Sequence, residues 1–511
     1  MGAKRFKLTK QAKALLFGLI TVATVTGVVK FGGFGKNDTN TDELYEQAGQ
    51  IVKEEQTLNI SLDEWIGWKP IIDANGGLKT KKGSIYDELG LKLNISVIND
   101  ATQSSNALIK GDLNGAGYTV NRFAFLYPKF KENNTEVVMP YINNSSTGGD
   151  GIIAKSEIKS VEDLVGKTIG VPRFSEAQTL VEWLLAKSDL SEKEVKQIRD
   201  NMKFFDTPDD TAKAFFSGEL DAAATWQPYL SQATESSDSH VLFDTTNATS
   251  IVLDGIVFRK DFYDKNKEEI SKLVEGAIKA ENLYDTDMKT IKDTFPMFAT
   301  SSEEDIKSMV GDATLSNGKT NVEYLKDGGT ATALFNDMAD IWTSIGEKAI
   351  KDDTDSLFTD EIVKEVATKF TNETSQNITF TEAQREEAKD QNNNDALLSQ
   401  SLSINFETSS SAISSDSYAT LMEFANTAKI LNGVVIQIEG NTDSNGNDEL
   451  NKKLSQARAK SVATFLQMQG VDPTRFVVIG NGEDNPKGDN KTEEGRQINR
   501  RTDVFFKVVK K

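Results

Sequence analysis

Residues 440–462 read as the end of a strand, a polar turn and the start of a helix, and this order constrains the chain more than any other stretch. Residues 434–439 have the character of a buried strand, 441–447 are rich in turn formers, and 449–468 are helix-forming. Within the helical part, Leu450, Leu454, Ala457, Ser461/Val462 and Phe465 recur at three- and four-residue steps, which predicts one buried stripe. Asp443 stands in the turn and Arg458 fifteen residues later on the helix. An acid held by a loop and a guanidinium presented by a rigid helix suit a zwitterionic ligand: the acid pairs with an ammonium, the guanidinium fork with a carboxylate. An internal Asp–Arg ion pair is the alternative reading of the same two residues.

Further motifs stand around this pair. Thr442-Asp443 is followed by Asn451-x-x-Leu454-Ser455-x-x-Arg458-Ala459, then by Gly480-Asn-Gly-Glu483 with Pro486, then by Asn499-Arg500-Arg501. In this set the segment 401–511 resembles the OmpA-like peptidoglycan-binding domain, an α+β unit of βαβαβ order. The resemblance implies that Asp443 and Arg458 grip the free α-carbon end of diaminopimelate in a wall stem peptide. It brings Thr442, Asn451 and Arg501 into the same site. Asn441 departs from the family, which usually has His or an aromatic residue before the Thr-Asp pair.

At 511 residues the chain is long enough for two or three domains, and 38% hydrophobic residues is low for one globule, which points to linkers or solvated surface. There is no cysteine, so disulfides, thiolate metal sites and acylation at cysteine are excluded. The one histidine, His240, lies in a polar stretch and reads as a solvated loop residue. A net charge of −20 argues against a nucleic-acid partner, which needs clustered Lys and Arg. No phosphate loop, metal cluster or histidine-based triad stands in the sequence, so an enzyme, a cofactor and a metal are not expected.

Lys4, Arg5, Lys7, Lys10 and Lys13 precede an apolar run from residue 14 that continues less purely to 34. A cleaved signal peptide and an uncleaved anchor compete here. No convincing small-x-small cleavage site precedes the polar stretch, and we expect a transmembrane anchor at 14–34. Residues 1–13 would then be cytoplasmic and everything after the span extracytoplasmic. Residues 35–56 read as a polar stalk.

Strand-like and helical pieces alternate from residue 57 onward, which argues for α/β layers. Five landmarks occur in order: Trp65, Gly67, Trp68 and Pro70; Ala107-Leu-x-x-Gly-Asp-Leu113; Gly149-Asp-Gly-Ile152; residues 163–172; and residues 215–229, which include Trp226-Gln-Pro-Tyr229. Together they resemble solute-binding proteins of ABC transporters of the nitrate/sulfonate/taurine type, a group that includes thiamine-precursor binders. The resemblance implies a two-lobed, type II-like periplasmic-binding-protein clamshell over 57–350. Lobe 1 would comprise 57–150 and 254–350, and lobe 2 residues 151–253, with glycine-bearing crossings near 148–151 and 253–255. A small-molecule solute would lie between the lobes and pass to an ABC permease. Aromatic walls with a few polar groups make Trp65, Trp68, Asp150, Ser175, Glu176 and Trp226 the candidate solute contacts. Trp68 and Trp226 also fit core positions, Asp150 a turn, and Ser175 a helix cap. Glu176 at the same helix start competes with a bound anion and favours a cationic or zwitterionic solute.

Residues 351–400 are acidic and Asn/Gln-rich and read as a semi-flexible spacer with helical pieces. The expected whole is a membrane-anchored, wall-tethered receptor of an uptake system. A structural adaptor or sensor between membrane and wall, its clamshell no longer serving transport, is the competing reading.

Overall fold

Leu58, Ile60 and Leu62 alternate with Asn59 and Ser61, yet all five are buried in strand β1 (Leu58–Leu62). A strand covered on both faces belongs inside a layered α/β sheet. The computed structural model describes residues 47–509 apart from 52, 55, 352–353, 371–377 and 408–409. The span expected at 14–34 lies outside these residues. Among the described residues no helix is long and apolar enough to cross a membrane.

β1 is followed by β2 (Leu93–Val97), β3 (Gly115–Thr119), β4 (Val137–Val138) and β5 (Ile142–Ser146). The chain then builds β6 (Asp150–Lys155), β7 (Ile169–Pro172), helix α1 (Glu176–Lys187), β8 (Met202–Phe205), helix α2 (Pro208–Phe216), β9 (Ala222–Trp226) and β10 (Ser239–Asp244). It returns through β11 (Leu253–Arg259), helix α3 (Lys267–Lys279), β12 (Ala313–Leu315), helix α4 (Thr330–Ser344) and helix α5 (Glu361–Ala367). The C-terminal stretch holds helix α6 (Glu382–Asp390), β13 (Leu398–Leu402), helix α7 (Tyr418–Ile430), β14 (Val435–Asn441), helix α8 (Asp448–Met468), β15 (Phe476–Gly482), helix α9 (Glu493–Asn499) and β16 (Thr502–Lys507).

Two units result. The first joins the described residues up to Ser145 with Leu253–Thr332 and residues 349–370. Its sheet runs β12-β5-β11-β3-β1-β2, with β4 on β11; β1 is parallel to β2 and β3, and β11 is antiparallel to β3. The second unit joins Ser146–Val252, Ala333–Lys348 and residues 378–509. It contains a five-stranded sheet, β10-β6-β9-β7-β8, and a four-stranded sheet, β13-β16-β14-β15. Residues 333–348, expected in lobe 1, thus belong with the second unit, where Trp183 Nε1 donates to Asp337 Oδ2 at 3.2 Å.

Residues 351–400 are not a spacer over most of their described length. Ile362, Val363 and Val366 of α5 are buried, and Lys267 on α3 bridges to Glu361 at 2.7 Å. Further on, Phe380 and Ala388 pack with Val435, Val477 and Val509, so α6 is part of the C-terminal core. A sparse apolar pattern suffices there because a few side chains close a gap that the sheet already lines. His240 also differs from expectation: it is a half-buried residue of β10, paired in register with Ala154 of β6.

Candidate functional site

β14 and α8 form as the residue pattern predicts, and Asn447 caps α8 by accepting from the backbone N–H of Glu449 and Leu450. The buried face of α8 meets the predicted stripe only at Val462 and Phe465. Asn451, Ser455, Ala459, Val462 and Leu466 face the sheet, whereas Leu450 is 64% exposed. Close approach explains the shift. A Cβ on Gly440 of β14 or Gly480 of β15 would collide with the α8 backbone at Ser455 or Gln456. The helix therefore lies directly on two glycines, and only small residues fit that contact.

This packing fixes the turn that carries Asp443. Its Oδ1 accepts from Asn445 N–H at 2.9 Å, and its Oδ2 takes Arg500 Nη1 at 2.6 Å. Arg500 also reaches Glu493 of α9 at 3.0 Å. Asp443 is therefore ion-paired, but with Arg500; the internal pair weighed for Asp443 and Arg458 is not formed among the described residues. Arg458 is half-buried, its Nε donating to the Ser410 carbonyl at 3.2 Å and its guanidinium lying 4.8 Å from the Phe406 ring centroid. Burial pulls its pKa down, Asp443 pulls it back up, and Arg500 lowers it again. Arg458 thus shares one electrostatic neighbourhood with Asp443 and Arg500 without closing a pair.

The remaining motif residues frame this centre. Asn451 Nδ2 donates to the Asp443 carbonyl at 3.3 Å and to Glu483 at 2.8 Å. Thr442 N–H donates to the Gly482 carbonyl at 2.8 Å, while its buried hydroxyl has no hydrogen-bond partner among the described residues. Arg501 is paired with Asp503 at 2.8 Å, and its buried Nη1 is likewise unpartnered among the described residues. Arg500, Phe406, Ser410 and Glu483 are the site neighbours that residue patterns missed. Of these, only Arg500 and Glu483 stood inside quoted motifs.

A second constellation forms at the carboxyl ends of β7 and β9 in the five-stranded sheet. Asp150 opens β6 directly opposite Trp226, which ends β9. Trp226 Nε1 donates to Asp209 in the first turn of α2 at 2.9 Å. Ser175 caps α1, accepting from Gln178 N–H, and Glu176 is the first helical residue. Burial raises the Asp150 pKa to about 7; the Ser146 hydroxyl, donating at 2.8 Å, opposes the rise, and the Glu176 charge adds to it. Asp150, Ser175, Glu176 and Trp226 are therefore brought to one sheet end.

Trp65 and Trp68 belong to the first unit. Trp65 follows β1 and donates from Nε1 to Asn144 at 3.0 Å; Asn144 is buried and its Nδ2 is unpartnered among the described residues. Trp68 is fully buried, with its Nε1 on Asp63 at 2.6 Å, and is a core residue rather than a surface contact.

Residues 81–282 match the family described as NMT1/THI5 like, and residues 405–500 match the OmpA family. The chain thus joins an α/β region similar to the NMT1/THI5-like family to a C-terminal region similar to the OmpA family. Outer membrane porin F of Pseudomonas fluorescens is 37% identical over 103 residues, which is 20% of this chain and 32% of that protein. Outer membrane protein A of Bordetella avium is 38% identical over 99 residues, 19% of this chain and 51% of that one. The chain spans about a third to a half of the length of these curated relatives. The periplasmic aliphatic sulphonate binding protein SsuA from Escherichia coli aligns over 61% of this chain and all of its own, with 17% identity and a TM-score of 0.47.

Proposed function

We propose that the protein is an extracytoplasmic solute-binding protein held non-covalently on peptidoglycan by its OmpA domain. The observation that carries this reading is the shared neighbourhood of Asp443, Arg458 and Arg500 within that domain. A diaminopimelate end group presents one ammonium and one carboxylate. Asp443 would take the ammonium, exchanging its bond to Arg500, and the released Arg500 and the unclosed Arg458 would face the carboxylate. The anchor at 14–34 would hold the other end at the membrane, with an ABC permease as the acceptor of solute. For the solute, Asp150 and Glu176 beside Trp226 favour a cationic or zwitterionic molecule over an anion.

Pull-down on diaminopimelate-type peptidoglycan tests the wall reading. Asp443→Ala and Arg458→Ala should each weaken retention about tenfold or more, as expected for a charge-assisted hydrogen bond. Unchanged retention in both variants removes the assignment. Thermal-shift screening of the full chain tests the solute reading. A cationic or zwitterionic solute should raise Tm by mass action while sulfonates and nitrate do not, and the reverse result rejects this solute class.

A further inference from the structure

We propose that the OmpA domain docks specifically on the solute-binding lobe of its own chain, so that lobe and domain form one body with α1 as their shared strut. Both partners lie in the second unit, and two separate strips join them.

The first strip involves β13, the edge strand of the four-stranded sheet, whose outer side would otherwise expose unpaired backbone groups. Gln400 Nε2 donates to the Lys187 carbonyl, the last residue of α1, at 2.5 Å. Ser399 donates to Glu162 at 3.3 Å. Asp189 lies beside Ser401, whose polar groups counter the rise in pKa that burial brings to its carboxyl. Ser401 in turn donates to Asp503 at 2.7 Å, and Asp503 is the partner of Arg501. Lys187 adds ion pairs to Asp337 at 3.4 Å and to Glu423 of α7 at 3.6 Å.

The second strip is the turn between α7 and β14. Asn432 and Thr249 are joined reciprocally: Thr249 N–H and hydroxyl meet Asn432 Oδ1 at 2.9 and 3.0 Å, and Asn432 Nδ2 meets the Thr249 hydroxyl at 2.7 Å. Gly433 N–H donates to the Asn247 carbonyl at 2.9 Å. Any Cβ at Gly433 would collide with the Thr246 carbonyl, so the lobe backbone touches the domain backbone without an intervening side chain. Asn247 and Ala248 beside this contact are buried. Paired side chains, a glycine-dependent contact and side-chain bonds from an edge strand on two distinct strips are features of a specific interface rather than of a loose tether.

The arrangement gives α1 two roles. Its first turn carries Ser175 and Glu176, and its last residue, roughly 18 Å away at 1.5 Å per residue, holds the OmpA domain. A load taken by the wall-type domain is thereby delivered to the helix that presents the candidate solute residues.

The chain contains no cysteine, so the pair Thr249→Cys with Asn432→Cys introduces its only thiols. Under mild oxidation of the full chain we expect disulfide closure at least about tenfold faster than for Thr249→Cys with Lys453→Cys, because docking raises the effective concentration of the first pair. Equal rates overturn the proposal. In a second measurement, Gly433→Leu should speed hydrogen exchange about tenfold in β13 and in the last turn of α1 if docking protects them. Unchanged exchange there also overturns it. If Gly433→Leu fails to fold, the cysteine pair still decides.

Discussion

Asp443 and Asp150 place one residue type in two different surroundings. Asp443 is held between a backbone N–H and the Arg500 guanidinium. Asp150 is pushed to about 7, chiefly by burial and in addition by Glu176. Between the ordinary 3.8 and about 7 the native protein keeps a proton on Asp150 that the unfolded chain has released, so this group's contribution falls as pH rises through that window. We expect Asp150→Asn to remove that part of the pH dependence, read as a smaller drop in urea midpoint between pH 5 and pH 7.5 than in wild type. An equal drop in both proteins shows that Asp150 does not titrate there. A cationic solute would draw the proton off Asp150, so its binding should tighten as pH rises toward 7 and should lose that trend in Asp150→Asn.

At the scale of elements, the seat of α8 on β14 and β15 decides the geometry around Asp443. Two glycines let the helix backbone meet the strands, and the turn bearing Asp443 is held at the edge of that contact. Gly480→Val should therefore cost about 1–3 kcal/mol by overpacking, read as a lowered denaturation midpoint of the C-terminal domain. Leu450→Ala, on the exposed side of the same helix, should stay within about 0.5 kcal/mol of wild type. A large effect of Leu450→Ala with none from Gly480→Val would reverse the assigned faces. The residue pattern located β14, the turn and α8 to within two residues, and the Ser175 cap as well. It found the buried Val462 and Phe465 but missed the face over the first turns of the helix, because period alone favours large apolar residues, whereas a backbone-to-backbone contact selects Asn451, Ser455 and Ala459 for their size.

For the whole molecule, the stretch expected as a spacer proves to be structure at both described ends. Phe380 lies against Val435 and Val477, and its N–H donates to Thr474 at 3.1 Å. Phe380→Ala should destabilise the C-terminal domain by about 3 kcal/mol, detectable by chemical denaturation, whereas a side chain in a loose linker would leave it unchanged. The docking of β13 and the Asn432–Gly433 turn on the lobe extends the same lesson, since a flexible spacer would have let the two domains tumble apart.

The sequence by itself determined what depends on neighbours a few positions apart: the β14–turn–α8 order, the caps, the motifs that set Asp443 and Arg458 in an OmpA-type context, and the alternation of an α/β region. Only the tertiary structure decided partners remote in the chain. Arg500 holds Asp443 across 57 residues, Asn432 meets Thr249 across 183, and Asn144 meets Trp65 across 79. Residue spacing reports which face of an element is apolar, but the identity of a distant partner depends on how close two backbones come, and glycines at 433, 440 and 480 set that distance here.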